Sequence, residues 1–289
     1  MKFAIAIVAA VALCHVSAVP TGLLQKLRTE GKADAMIILG AEVAPVIAQI
    51  NSQRFTNSVE KTTVLVAALK EHTRITQKAV LSFLETRELP VKSFWITNRI
   101  FVPEMTLEEH EALQSQFKSV VADIREPVVA HIDYTVDSQD SNPQELEWGV
   151  ENIRAPEVWA DGVEGEGVVV SHIDTGVRGS HETFAGALRE THNWLDPYTN
   201  TATPSDANGH GTHTMGTIVG RGGTGVAPKA TYISCRGCDT ASCTEPALLA
   251  CGQFTTCPTL PDGTEEIVLK KPALSIGQVA TENTSVQIC

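Results

Sequence analysis

Two short runs constrain this 289-residue chain more than anything else in it. Val168-Val169-Val170-Ser171-His172-Ile173 is apolar enough for a strand buried on both faces, and it ends in Asp174-Thr175-Gly176. Downstream stands Asn208-Gly209-His210-Gly211-Thr212-His213, where a helical pattern begins that runs to Val219. A strand buried on both faces needs helices above and below it, so this half of the chain is expected to be α/β with a parallel sheet. Residues 230–234 offer a second strand and residues 241–254 a further helix.

The chemistry lies at the strand end and the helix start. Open α/β sheets place their ligand sites at the carboxyl edge, where Asp174 would stand. An ionised aspartate there can hold an imidazole in one tautomer and stabilise its protonated form, although an Asp-Thr-Gly standing alone reads better as a turn cap. Gly209 and Gly211 leave His210 open to close approach, which suits a general base acting on a hydroxyl nucleophile. His213 is expected to buttress that site. Zinc held by His210 and His213 would lack the glutamate of an H-E-x-x-H site.

Composition narrows the function classes. A formal charge of −12 argues against a nucleic-acid partner, which calls for a basic face. Lys2, the apolar run over residues 3–14 and the small residues Val16-Ser17-Ala18 predict a secretory signal peptide over 1–18. That run is shorter than the ~20 residues a membrane span needs, and no later segment is apolar enough, so a secreted, extracellular protein without a membrane partner is expected. Of the seven cysteines, Cys14 would leave with the signal peptide. Cys235, Cys238, Cys243, Cys251, Cys257 and Cys289 remain, and six cysteines allow about 15 connectivities. Cys235-Arg236-Gly237-Cys238 is open to a redox pair, a zinc site or structural disulfides, and an oxidising compartment favours the last.

Before the linker the pattern differs. Residues 35–39 read as a buried strand, and Leu65, Leu69, His72, Ala79, Val80 and Phe83 fall near one helix face. Residues 91–102 read as two strands around a Thr97-Asn98 turn. Thr106 and Glu109 form a capping-box pattern ahead of Leu113 and Phe117. Residues 120–124 and 128–132 supply closing strands. The predicted order is a split β-α-β-β-α-β unit over residues 19–134. A polar linker over 135–147, an α/β domain over 148–260 and an anomalous tail over 261–289 follow; the tail carries the sequon Asn283-Thr284-Ser285.

Asp174-Thr175-Gly176 and His210-Gly211-Thr212-His213 together resemble the aspartate and histidine motifs of the subtilisin family of serine peptidases. Trp148-Gly149-Val150 through Ala155-Pro156 resembles the opening of the family's mature enzyme, and Gly225-Val226-Ala227-Pro228 its segment after the histidine helix. The resemblance covers residues 148–258. It implies that Asp174 and His210 are catalytic and that protein or peptide substrates add a strand beside residues 235–243. It further implies that residues 19–134 are an intramolecular propeptide, folding aid and inhibitor. Calcium is an ion the family uses for stability, but His181-Glu182-Thr183 departs from the proline and aspartate usual at that point. The residues themselves identify no other cofactor. The family's oxyanion asparagine and its Gly-Thr-Ser-Met-Ala nucleophile motif do not occur in this sequence, where Ser234, Ser242, Ser275 and Ser285 are the serines after His210. No nucleophile is therefore assigned. The fold expected is an α/β chain, a split β-α-β-β-α-β propeptide followed by an incomplete parallel-sheet subtilisin-like domain. The function expected is that of a secreted serine endopeptidase, the chain as written being inactive; the alternative is a non-catalytic propeptide-type inhibitor or degenerate product.

Overall fold

The computed structural model describes residues 22–132 and 146–260, with the backbone of residues 274–276. The expected signal peptide, Cys289, the Asn283 sequon and most of the linker and tail lie outside the described residues.

The N-terminal part runs α1 (Gly22–Glu30), β1 (Lys32–Leu39), α2 (Ala44–Asn51), α3 (Ser58–Glu85), β2 (Lys92–Phe94), β3 (Arg99–Thr106), α4 (Leu107–Gln116), β4 (Val121–Arg125) and β5 (Val129–His131). Its sheet has the order β2-β3-β1-β4, and each adjacent pair is antiparallel. Ala35, Ile37 and Leu39 alternate along β1, so they point to one face, where they pack with Leu23 and Leu27 of α1, Val80 and Leu84 of α3 and Leu113 of α4. The turn before β3 places Asn98 at φ 53°, a left-handed conformation that asparagine tolerates. The α4 capping box forms on both sides: Thr106 Oγ1 accepts from the Glu109 amide, and the Glu109 carboxylate accepts from the Thr106 amide.

Two expectations for this part need correction. The buried face of α3 is Val66, Leu69, Thr73, Gln77, Val80 and Leu84, while Ala79 is exposed. Polar Gln77 turns inward because the β2–β3 hairpin satisfies it: its Nε2 donates to Asn98 Oδ1 at 3.0 Å, and Ser93 Oγ donates to its Oε1 at 2.6 Å. The strand at residues 128–132 does not close the first sheet. Local pattern gives a strand but not its partner, and β5 pairs instead with a strand of the second half.

The second half runs α5 (Trp148–Asn152), α6 (Ala155–Ala160), β6 (Val169–Asp174), a 3-10 turn (Glu182–Phe184), β7 (Trp194–Leu195), α7 (His210–Val219), β8 (Thr231–Arg236), β9 (Ser242–Thr244), α8 (Glu245–Thr256) and β10 (Leu274–Ile276). Its sheet is parallel throughout, in the order β10-β6-β8-β7. Although the sequence after residue 261 shows no clear period, Leu274–Ile276 adds a strand beside β6, with Ser275 opposite Ser171. All six residues of β6 are buried, as a strand covered on both faces requires. Val170 and Tyr232 pack with Met215 and Val219 of α7 on one side. Val169, Ile173 and Ile233 pack with Cys251 and Phe254 of α8 on the other. The helix expected over 241–254 starts only at Glu245, because residues 242–244 are drawn out as β9 against β5.

The halves meet along α8. Glu245, 7% exposed at the first turn of that helix, accepts both guanidinium nitrogens of Arg125 at 2.8 Å, the guanidinium of Arg99 and the Val128 amide at 2.9 Å. Gln253 Oε1 accepts from the Trp95 amide at 2.7 Å.

Candidate active site

Asp174 is the last residue of β6 and His210 the first of α7, so sheet edge and helix start converge. The approach depends on two glycines. Gly209, the residue capping α7, sits at φ 102°, where a side chain would be strained. A Cβ on Gly211 would lie 2.0 Å from Gly176 O, so only glycine lets the helix come this close to the strand.

The two sequence-predicted residues are in contact: His210 Nδ1 lies 2.7 Å from Asp174 Oδ1. Asp174 is 3% exposed. Burial pushes its carboxyl pKa up, but hydrogen bonds from His172, His210 and the Thr175 amide outweigh that and hold it at about 2. An ionised carboxylate only accepts hydrogen bonds, so His210 Nδ1–H is the donor and Nε2 carries the lone pair. That tautomer is the one a general base needs.

Around this pair lie residues that sequence reasoning missed. Asp206 accepts from the Asn208, Gly209 and Thr212 amides at 2.9–3.0 Å and from the hydroxyls of Thr175 and Thr212 at 2.9 and 2.6 Å. Burial again pushes its carboxyl up, and these donors bring it below the ordinary aspartate value. Thr175 Oγ1 in turn accepts from the Gly211 amide at 2.9 Å. Asp206 thus ties the loop before His210 to the turn after Asp174. Its sequence signal was an acidic residue four before the histidine, just ahead of the Asn-Gly turn. His213, expected as a buttress, is exposed and lines a groove of about 920 Å³ beside α7; Thr214, one residue on, takes the inward place.

The cysteines form Cys235–Cys251, which ties β8 to α8, and Cys238–Cys243, which closes the loop into β9. Cys235-Arg236-Gly237-Cys238 is therefore two halves of two bridges, and Cys257 at the end of α8 belongs to neither. Of the serines after His210, Ser234 Oγ lies 3.4 Å from His172 Nδ1 and Ser242 Oγ 3.3 Å from His131 Nδ1. Among the described residues no three acidic, histidine or cysteine side chains are grouped to hold a metal. Nor is any described helix long and apolar enough to cross a membrane.

A buried aspartate orienting a histidine at the carboxyl edge of a parallel sheet defines an α/β protein with an acid-oriented imidazole base. Residues 165–250 match the model of the subtilase family. It is 37% identical to bacillopeptidase F of Bacillus subtilis over 134 residues, 41% of this chain and 9% of that protein. It is 37% identical to thermitase of Thermoactinomyces vulgaris over 98 residues, 32% of this chain and 34% of that protein. The chain thus spans about a third or less of the length of these relatives. The crystal structure of the epidermin leader peptide processing serine protease of Staphylococcus aureus (mutant form) superposes with a TM-score of 0.52 at 15% identity, over 81% of this chain and 49% of that one, a likeness of fold.

Proposed function

We propose that this is the N-terminal portion of a secreted subtilisin-like endopeptidase in zymogen form. Asp174 and His210 are two members of its catalytic triad, and residues 19–134 are its intramolecular propeptide. The observation that carries the reading is the 2.7 Å contact between Asp174 Oδ1 and His210 Nδ1. In the reaction, His210 Nε2 takes the proton of a seryl hydroxyl as it attacks the scissile carbonyl. Asp174 stabilises the imidazolium so formed and stays ionised throughout. The seryl group and the oxyanion donor are not assigned to any residue of this sequence.

Sequencing the transcript across the codons for residues 257–289 and onward tests this. The expected result is a frame that runs into an oxyanion asparagine and a Gly-Thr-Ser-Met-Ala motif. A frame that stops after Cys289 would sink the peptidase reading for this product. The inhibitor reading then takes over, and one observation favours it: β5 lies antiparallel on β9, with Ala130 opposite Cys243. That is the place where an extended substrate would add a strand. Inhibition of a related peptidase by residues 22–132, without hydrolysis, would be its signature.

A further inference from the structure

Asp174 has a second histidine. His172 lies two residues earlier on β6, so both side chains emerge on the same face of the strand, toward α7. His172 is 1% exposed, and its Nε2 stands 3.4 Å from Asp174 Oδ2, the oxygen His210 does not use. Thr214 bridges the two: its Oγ1 lies 2.8 Å from His172 Nε2 and 3.3 Å from Asp174 Oδ2. On the far side of the ring, Nδ1 meets Ser234 Oγ of β8 at 3.4 Å.

The donors fit one pattern. With its proton on Nε2, His172 donates to Thr214 Oγ1, whose own hydrogen is shared between Asp174 Oδ2 and the Gly211 carbonyl at 3.2 Å, while the Ser234 hydroxyl donates to Nδ1. Both carboxylate oxygens are then fixed. Oδ1 takes the Thr175 amide at 2.7 Å and His210, and Oδ2 takes the His172–Thr214 pair. A carboxylate held at one oxygen alone can rotate about its Cβ–Cγ bond, whose preference is broad. Such rotation would carry Oδ1 out of line with His210 Nδ1.

We propose that His172 is a positioning residue for the proposed catalytic pair: by donating to Thr214, whose hydroxyl reaches Asp174 Oδ2, and by standing 3.4 Å from that oxygen itself, it locks the carboxylate plane that orients His210. Its consequence for hydrolysis rests on the peptidase reading, but the lock itself is a property of the folded chain and is tested without turnover. The full chain, labelled with 15N-histidine, is followed by NMR through the solvent-exchange rate of the His210 Nδ1 proton bonded to Asp174. His172→Leu, which removes the donor but fills the space, is expected to speed that exchange about tenfold. His172→Gln, which keeps an N–H at a similar reach, is expected to stay within about twofold of the parent. Thr214→Val, which leaves the ring in place and cuts the bridge, is expected to fall between them. If His172→Leu fails to fold, the other two variants decide. Unchanged exchange in Thr214→Val or His172→Leu overturns the lock, as does a Gln variant as fast as the Leu variant. None of these outcomes depends on whether the protein hydrolyses peptides, so an inactive chain with a working lock, or an active enzyme without one, tells the two ideas apart.

Discussion

Asp206 shows how a single carboxylate can set the position of a histidine it never touches. It gathers five donors, three of them half-buried backbone amides on either side of His210, and removing it costs all five bonds at once. Asp206→Ala is therefore expected to cost about 3 kcal/mol, measured as a lower urea midpoint at unchanged slope. Acid acts on the same groups. Asp174 and Asp206 both titrate below the ordinary aspartate value of 3.8, so in acid the unfolded chain binds more protons than the folded one. Their contribution is complete above about pH 5 and is lost as pH falls toward 2, and Asp174 alone accounts for about 2 kcal/mol. Urea unfolding at neutral pH and near pH 3 checks this: stability equal at both would contradict the assignment. Asp174 and His210 were legible because each sits in a motif with its glycines. His172 and Asp206 were not, since a histidine within an apolar run and an acid in a polar loop have bland readings until the fold brings them to one carboxylate or one loop.

At the scale of elements, the two disulfides divide the work. Cys235–Cys251 spans 16 residues and joins sheet to helix, whereas Cys238–Cys243 spans five and shapes one loop. Replacing Cys235 and Cys251 together by serine is expected to cost about 3 kcal/mol, on the model in which longer loops gain more from closure. The Cys238/Cys243 double variant should lose less, and denaturant titration of both ranks them. A reversed ranking would mean that the short bridge holds β9 for β5 rather than merely closing its loop. Sequence patterns gave β1, the β2–β3 hairpin, α4 and β6 because period, turn and cap signals are local. They misplaced the α3 face because Gln77 is buried only through partners in β2 and the turn before β3. They missed β9 because a three-residue strand exists only by virtue of what lies beside it.

For the molecule as a whole, the first half acts as the cover of the second. Glu245 and Gln253 turn α8 toward the N-terminal sheet, and β5 completes a ribbon that β9 cannot form alone. Without that half, Glu245 and Gln253 lose their partners, and the α8 face and β9 edge that it covers are opened to water. Residues 148–289 expressed alone are expected to show no cooperative thermal transition, and a sharp two-state melt would count against this view. The central proposal joins both scales: His210 works as a base oriented by Asp174, beside a β9 edge that β5 covers and that release of the first half would free. The most direct test takes the chain translated from the longer frame and measures peptide hydrolysis before and after cleavage within residues 133–145 and release of the N-terminal half. The account predicts silence before release, hydrolysis after it, and silence throughout for His210→Ala. Equal hydrolysis before and after release, or hydrolysis by His210→Ala, would contradict it.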